Sequence, residues 1–184
     1  MARYRDISPA EMTPARRRVY DLIVAGKRGS FGAGPFQLLI SAPEICEHAA
    51  KLGEHLRWGT SLPDRLSELA IITTAQFWRA QYEWYAHAPL AQKAGVPAVS
   101  IEAIRRGEQP NFEQKDEALV YRICTELFGT RRLSDSTFGD AVEALGQAGL
   151  VEVIAIIGYY TLIGNTLNAF QVPLPEGTDL PFSE

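Results

Sequence analysis

Apolar residues recur with a helical period along most of the chain, whereas the alternation typical of strands is scarce. Thr13 and Pro14 match an N-cap followed by proline at the first helical position, so we predict a helix that ends near Gly26. Residues 27–36 are rich in glycine and predict a loop. The pattern therefore indicates an all-α protein.

Two further helices are predicted in the middle of the chain. Residues 41–44 match a capping box, and the helix after them should run to about Gly59. Residues 61–64 open a long central helix that should continue to about His87, where Pro89 breaks or kinks it. The later helices should end near Gly107, Phe128, Gly149 and Phe170.

The last of these helices raises the question of a membrane. Residues 150–170 have roughly the length of a membrane span. Glu152, Asn165 and Asn168 make the segment too polar to face lipid, so we predict a core or interface helix and no membrane association. The tail, residues 171–184, is interrupted by prolines and should be extended, with the possibility of reaching a neighbouring subunit.

A weak internal repeat suggests that the bundle has pseudo-symmetric helical halves. Residues 66–72 resemble residues 150–156, and each segment has an acid near the start of a long apolar helix. Two matched helical pairs would account for this likeness, although chance is a competing explanation.

Composition narrows the class of protein. The chain has 184 residues, 46% hydrophobic and 22% charged, which predicts one globular domain over residues 1–184. The net charge is -4, and the basic triplet at residues 16–18 fits a solvated helix face, so nucleic acid is not an expected partner. Cys46 and Cys124 are far apart, and the N-terminus is too polar for a secretory signal. We expect a cytoplasmic protein in a reducing environment.

The candidate chemistry lies between residues 68 and 87. Glu83 and His87 are four residues apart, so they share one face of a helix and can meet. A carboxylate beside an imidazole can hold its tautomer, and such a pair can transfer protons at neutral pH. Glu68 lies farther back on the same predicted helix. The competing interpretations are a surface pair without a role for Glu83 and His87, and a helix-dipole role for Glu68.

Aromatic and basic residues around this pair could bind a substrate. The predicted substrate-binding residues are Trp78, Tyr82, Trp84 and Arg79. The aromatic rings could wall a pocket for a planar ligand, although aromatic residues at helical spacing are more often core. We predict no metal site, because one histidine with two glutamates is a weak ligand set.

These residues resemble the carboxymuconolactone decarboxylase family, which includes the alkylhydroperoxidase-D proteins. The resemblance rests on residues 62–71, 82–87 and 94–95, the loop at 34–36 and the final helix with the segment after it. It implies an alkylhydroperoxidase-D-like helical bundle. It also implies a homo-oligomer, most often a trimer or a hexamer of paired chains.

The resemblance also divides the possible reactions. In the peroxidase branch, which this chain resembles in part, the sequence pattern is Glu, then Cys-x-x-Cys, then His. Here Glu68 and His87 match that pattern, but Ala80 and Glu83 occupy the two cysteine positions. Dithiol peroxide reduction needs an attacking and a resolving thiol, so the chain should not be a disulfide-cycling peroxidase.

The decarboxylase branch is compatible with this sequence, since it resembles a cysteine-free Tyr-Glu-Trp…His segment. It implies a cofactor-independent lyase that acts on a small unsaturated lactone or carbonyl acid. The implied catalytic residues are His87 as base or acid, Glu83 as its orienting group and Glu68 as a second acid or orienting group. The alternatives are a non-catalytic oligomer and a thiol-independent oxidoreductase or hydrolase. Candidates for anion binding are Arg57, Arg65 and Arg79, none of them clearly inward-facing.

Overall fold

The computed structural model describes residues 3–32 and 34–183. The described chain contains eight α-helices and no strand, which confirms the predicted all-α helical bundle. A short 3-10 turn, Pro9–Glu11, precedes the first helix. The helices are α1 (Pro14–Ala25), α2 (Pro35–Leu39), α3 (Pro43–Trp58), α4 (Asp64–Phe77), α5 (Gln81–Ala94), α6 (Ala98–Arg106), α7 (Lys115–Thr130) and α8 (Asp135–Phe170).

Helix α4 is the centre of the core. Nine of its residues between Leu66 and Ala75 are buried, on all sides of the helix. A helix that is apolar around its whole circumference is stable only when other helices surround it. Helices α5, α7 and α8 pack most extensively against α4. This central position gives the side chains of α4 access to several neighbouring helices.

The predicted long central helix is in fact two helices, and this prediction was wrong. Helix α4 ends at Phe77, and α5 begins at Gln81 after a turn in which Arg79 has a φ of 49°. Such a short connection folds α5 back along α4 as a helical hairpin. Helix α8 holds the turn in place, because Thr161 accepts a hydrogen bond from the Trp78 indole and Asn168 donates one to the Trp78 carbonyl.

Pro89 does not end α5, contrary to the prediction. The helix continues through Pro89 to Ala94 and ends at Gly95, whose φ is 109°. Proline removes the hydrogen bond that would reach the carbonyl of Tyr85. Both Pro89 and Tyr85 are exposed, so water can bind the carbonyl that the proline leaves free.

Three other boundaries differ from their predictions. The capping box at residues 41–44 does not form, because the N-cap of α3 is Ala42 without a side-chain hydrogen bond. The predicted loop contains the start of α2, which follows Gly34. The break expected near Gly149 lies at Gly146, where φ is 70° and ψ is 167° inside α8.

Helix α8 is the one described helix whose length and apolar composition would also suit a membrane span, with a mean hydropathy of 1.6 in its most apolar window. It packs against α2, α3, α4, α5 and α7. Its buried residues include Val153, Ile156 and Ile163. These contacts account for one apolar face of α8, although only 33% of its most apolar window is buried.

The C-terminal tail is non-helical, as predicted, and folds back onto its own chain. Phe182 is 2% exposed and packs edge-on against Trp84, with ring centroids 5.2 Å apart. The Gln81 side chain makes hydrogen bonds of 2.7 and 2.9 Å with the Phe182 backbone carbonyl and amide. Arg105 donates a 2.7 Å hydrogen bond to the Pro181 carbonyl. The tail is therefore attached to the beginning of α5 and to α6.

Candidate functional site

His87 lies between two carboxylates that come from different helices. Glu68 on α4 has an oxygen 2.7 Å from Nδ1 of His87. Glu83, one turn before His87 on α5, has an oxygen 3.6 Å from Nε2. The hairpin brings Glu68 to a histidine 19 residues away. The structure therefore brings together all three residues that the sequence predicted to be catalytic.

The two glutamates interact with His87 differently, because only Glu68 is at hydrogen-bond distance from the ring. A carboxylate accepts hydrogen bonds, so Glu68 favours the tautomer of His87 that carries hydrogen on Nδ1. Nε2 then presents its lone pair on the side of Glu83. We expected Glu83 to be the partner that orients His87, whereas Glu68 is the acid at hydrogen-bond distance from the ring, and Glu83 lies 3.6 Å from Nε2.

The histidine and the glutamates are shielded from bulk solvent. Their side chains are 8% exposed for His87, 5% for Glu83 and 13% for Glu68. Burial raises the pKa of Glu83, and its electrostatic interactions with His87, Arg28 and Arg57 oppose this rise. Burial thus favours the protonated form of Glu83. A surface Glu-His pair would not be sequestered in this way.

A cavity of about 320 Å³ opens beside His87 and Glu83. Its volume lies within the range of roughly 300–1,000 Å³ that is typical of small-molecule sites. The walls come from the loop before α2, from α2, α3, α5 and α8. The lining residues that bear on its chemistry are Arg28, Arg57, Tyr82, Glu83, His87, Tyr159 and Tyr160.

Glu68 faces a different cleft. This cleft has a volume of about 310 Å³ and is also lined by Asp64 and Lys93. Arg57 and Leu90 line both spaces. His87 therefore lies in the wall between them, with Glu83 on one side and Glu68 on the other.

Two glycines make room for the tyrosines of the cavity wall. A Cβ at Gly53 would collide with the Tyr159 hydroxyl, and one at Gly34 would come within 2.7 Å of the Tyr82 ring. Tyr160 packs edge-on against His87, with ring centroids 5.0 Å apart. Helix α8 thus supplies two of the three tyrosines in the cavity wall.

Only one of the four predicted substrate-binding residues lies at the cavity. Tyr82 lines the cavity, whereas Trp78, Trp84 and Arg79 do not. Trp84 packs on Phe182 of the tail, and Trp78 holds the hairpin turn. Arg79 is exposed and donates a hydrogen bond to the Ser183 carbonyl. The Tyr159–Tyr160 pair, which sequence reasoning did not select, takes the place of the tryptophans.

The arginines also differ from the expectation. Arg65 forms ion pairs with Asp116 and Glu117 and is not available at the cavity. Arg57 does line the cavity, and so does Arg28, which sequence reasoning missed. The signal that could have identified Arg28 is its place in a glycine-rich loop, where a cation can approach a ligand.

The two cysteines of the chain do not form a redox pair. Cys46 on α3 and Cys124 on α7 are free and buried. Burial raises the pKa of each thiol to about 12, so neither is an available thiolate. Within residues 3–32 and 34–183, no three His, Cys, Asp or Glu side chains are grouped to hold a metal ion.

The described chain is an all-α bundle in which Glu68, Glu83 and His87 cluster away from bulk solvent and no cysteine lies beside them. Residues 43–112 match the model of the Carboxymuconolactone decarboxylase family, which confirms the predicted family over this part of the chain. The matched segment runs from α3 beyond α6 and contains Glu68, Glu83 and His87. No curated protein matches the chain.

Proposed function

We propose that the protein is a cofactor-independent lyase of the carboxymuconolactone decarboxylase type, acting on a small unsaturated lactone or carbonyl acid. The observation that carries this proposal is the position of His87, buried between Glu68 and Glu83 at the wall of a cavity. A non-catalytic helical oligomer has no need for a desolvated histidine with two acidic neighbours. Perturbed titratable groups that converge on a cavity are typical of catalytic sites.

The chemistry requires the transfer of one proton. In the decarboxylation of an unsaturated acid, the bond between carbon and the leaving carboxylate breaks and CO₂ departs. The electron pair moves into the conjugated carbonyl, and the resulting enolate takes up one proton at carbon. Nε2 of His87 would first take up a proton from the neighbouring acid Glu83 and then deliver it to this carbon, while Glu68 holds Nδ1; solvent would reprotonate Glu83. One proton is taken up from solvent in each turnover.

The test is the release of CO₂ from a carboxymuconolactone by the purified protein. We expect His87→Ala to lower turnover by roughly 10²–10⁴-fold, the usual contribution of a general acid or base. The matched control is His48→Ala, which removes an exposed histidine on α3 and should leave turnover unchanged. Equal turnover by wild type and His87→Ala would refute the role of His87.

Product analysis separates the alternatives that use the same residues. A hydrolase would open the lactone ring without releasing CO₂, and an oxidoreductase would need an external electron acceptor or donor. The absence of any product from the wild type would favour the non-catalytic alternative. We also propose a cytoplasmic location, which is supported by two free, buried cysteines.

A further inference from the structure

Two half-buried arginines line the cavity without a carboxylate partner. Arg28 and Arg57 form no ion pair and no hydrogen bond within the described part of the chain, and Nε of Arg57 is completely buried without a partner. Their guanidinium groups rest on aromatic rings, Arg28 on Phe36 at 4.4 Å and Arg57 on Trp58 at 4.6 Å from the ring centroids. Stacking positions each cation but leaves its N–H donors free.

Other arginines near the core are paired. Arg65 is bound by Asp116 and Glu117, and Arg105 is bound by Glu102 and the Pro181 carbonyl. A partly buried guanidinium without a counterion is costly, because desolvation penalises its charge. Burial indeed lowers the pKa of Arg28. Two such groups at one cavity indicate that an anionic ligand serves as their counterion.

The charges of the cavity wall also indicate that the cavity binds an anion. Glu83 is the acid in the wall, and its burial favours the uncharged form. Glu68 faces the other cleft. The wall therefore carries two fixed positive charges, with tyrosines 159 and 160 beside them as further donors.

We propose that Arg28 and Arg57 together bind a carboxylate of a small organic acid and thereby determine the substrate class of the site as anionic. The proposal builds on the proposed function and specifies which residues select its substrate. A planar guanidinium matches a carboxylate with two parallel hydrogen bonds, which a neutral ester or amide cannot reproduce.

The bound carboxylate would be an anchor and would not be the group that leaves. The ion pair stabilises the negative charge on this carboxylate and so opposes its decarboxylation, in which that charge passes to the rest of the molecule as neutral CO₂ departs. Reaction at His87 would then concern another part of the same molecule. The cavity volume of about 320 Å³ corresponds to roughly ten water molecules at ~30 Å³ each, which suits a small ring acid.

The test compares furoate with its neutral counterpart furamide by isothermal titration calorimetry. We expect the wild type to bind furoate at least ~10-fold more tightly than furamide, because hydrogen bonds between charged groups are stronger than those to a neutral amide. Arg28→Ala and Arg57→Ala should each reduce this preference by ~10-fold or more. Arg132→Ala, which removes an exposed arginine outside the cavity, is the matched control and should retain it.

The outcomes are distinct for the two proposals. Failure of the wild type to prefer furoate, or retention of the preference in both alanine variants, overturns the arginine proposal. If an alanine variant does not fold, the corresponding lysine variant and the comparison of acid with amide in the wild type still decide. A wild type that prefers furoate but releases no CO₂ refutes the lyase proposal alone.

Discussion

At the residue scale, the site contains two glutamates whose surroundings differ. Glu68 contacts His87 at hydrogen-bond distance and reaches a cleft, whereas Glu83 is buried at the main cavity. Burial raises the pKa of Glu83, whereas Glu68 is distinguished by its contact with Nδ1 of His87. The sequence provided the residues, and their surroundings distinguish them.

The buried acid predicts a pH dependence of stability. Because burial raises the pKa of Glu83, the folded protein holds this proton more tightly than the unfolded chain. The resulting stabilisation is complete below the ordinary carboxyl pKa of about 4.3 and is lost as pH rises through the raised value in the folded state. Urea unfolding across this range should show the wild type losing free energy of unfolding relative to Glu83→Gln as pH rises.

Glu102→Gln is the control with the opposite sign. Hydrogen bonds from Arg105 and then Arg106 lower the pKa of Glu102 to about 2. Its stabilisation is therefore complete above the ordinary carboxyl pKa and is lost only as pH falls toward about 2. The difference between wild type and Glu102→Gln should stay level above about pH 5. A level difference for Glu83→Gln as well would contradict the prediction for Glu83.

At the element scale, the hairpin of α4 and α5 is the unit that creates the site. The turn at residues 78–80 is fastened by Thr161 and Asn168 of α8, and α5 is fastened at its start by the tail. Gln81 and Trp84, which bind Phe182, lie on the same helix as Glu83 and His87. The tail is therefore expected to stabilise the helix that carries the site.

Removal of the Phe182 ring tests this role of the tail. We expect Phe182→Ala to lower the free energy of unfolding by up to about 3 kcal/mol, the lower end for a buried phenylalanine, since a terminal segment can detach without global unfolding. Chemical denaturation measures the loss. Leu180→Ala is the control, because Leu180 is 53% exposed and its loss should change stability by less than about 0.5 kcal/mol. Equal stability of both variants would mean that the tail does not support α5.

At the scale of the whole molecule, α8 has two apolar faces. One face packs into the core, and the other exposes Val151 (58%), Ile154 (43%) and Leu162 (45%). Their spacing places them on one stripe of the helix. A second copy of this chain is the partner that we propose for this stripe, in the homo-oligomer that the family resemblance implies. The tail of each chain would then pack on α5 and α6 of its own subunit and not on a neighbouring one.

Light scattering after size exclusion tests this assembly. We expect the wild type to elute as a trimer or hexamer and the double variant Ile154→Lys, Leu162→Lys to dissociate, because buried lysines without partners are costly at an interface. Val99→Lys, on α6 and 75% exposed, is the control and should leave the assembly unchanged. A dilute wild type that is monomeric would exclude the proposed oligomer.

The sequence by itself determined the features that depend on neighbouring residues. Thr13 accepts a hydrogen bond as the N-cap of α1, and Gly107 ends α6 with a φ of 72°, each at the predicted end of a helix. The i, i+4 spacing was sufficient to predict that Glu83 and His87 meet, since that distance is set by helix geometry. The absence of a Cys-x-x-Cys pair was likewise readable directly.

Only the tertiary structure decided the features that depend on contacts between distant segments. The helical period continues through residues 78–80, and the break there arises with hydrogen bonds from α8. The approach of Glu68 to Nδ1 of His87 follows from that break, because α5 must fold back to bring them together. Arg28 reaches the cavity from a loop and Arg57 from α3. Local periodicity encodes the helices, whereas the site forms where separate helices and a loop pack together.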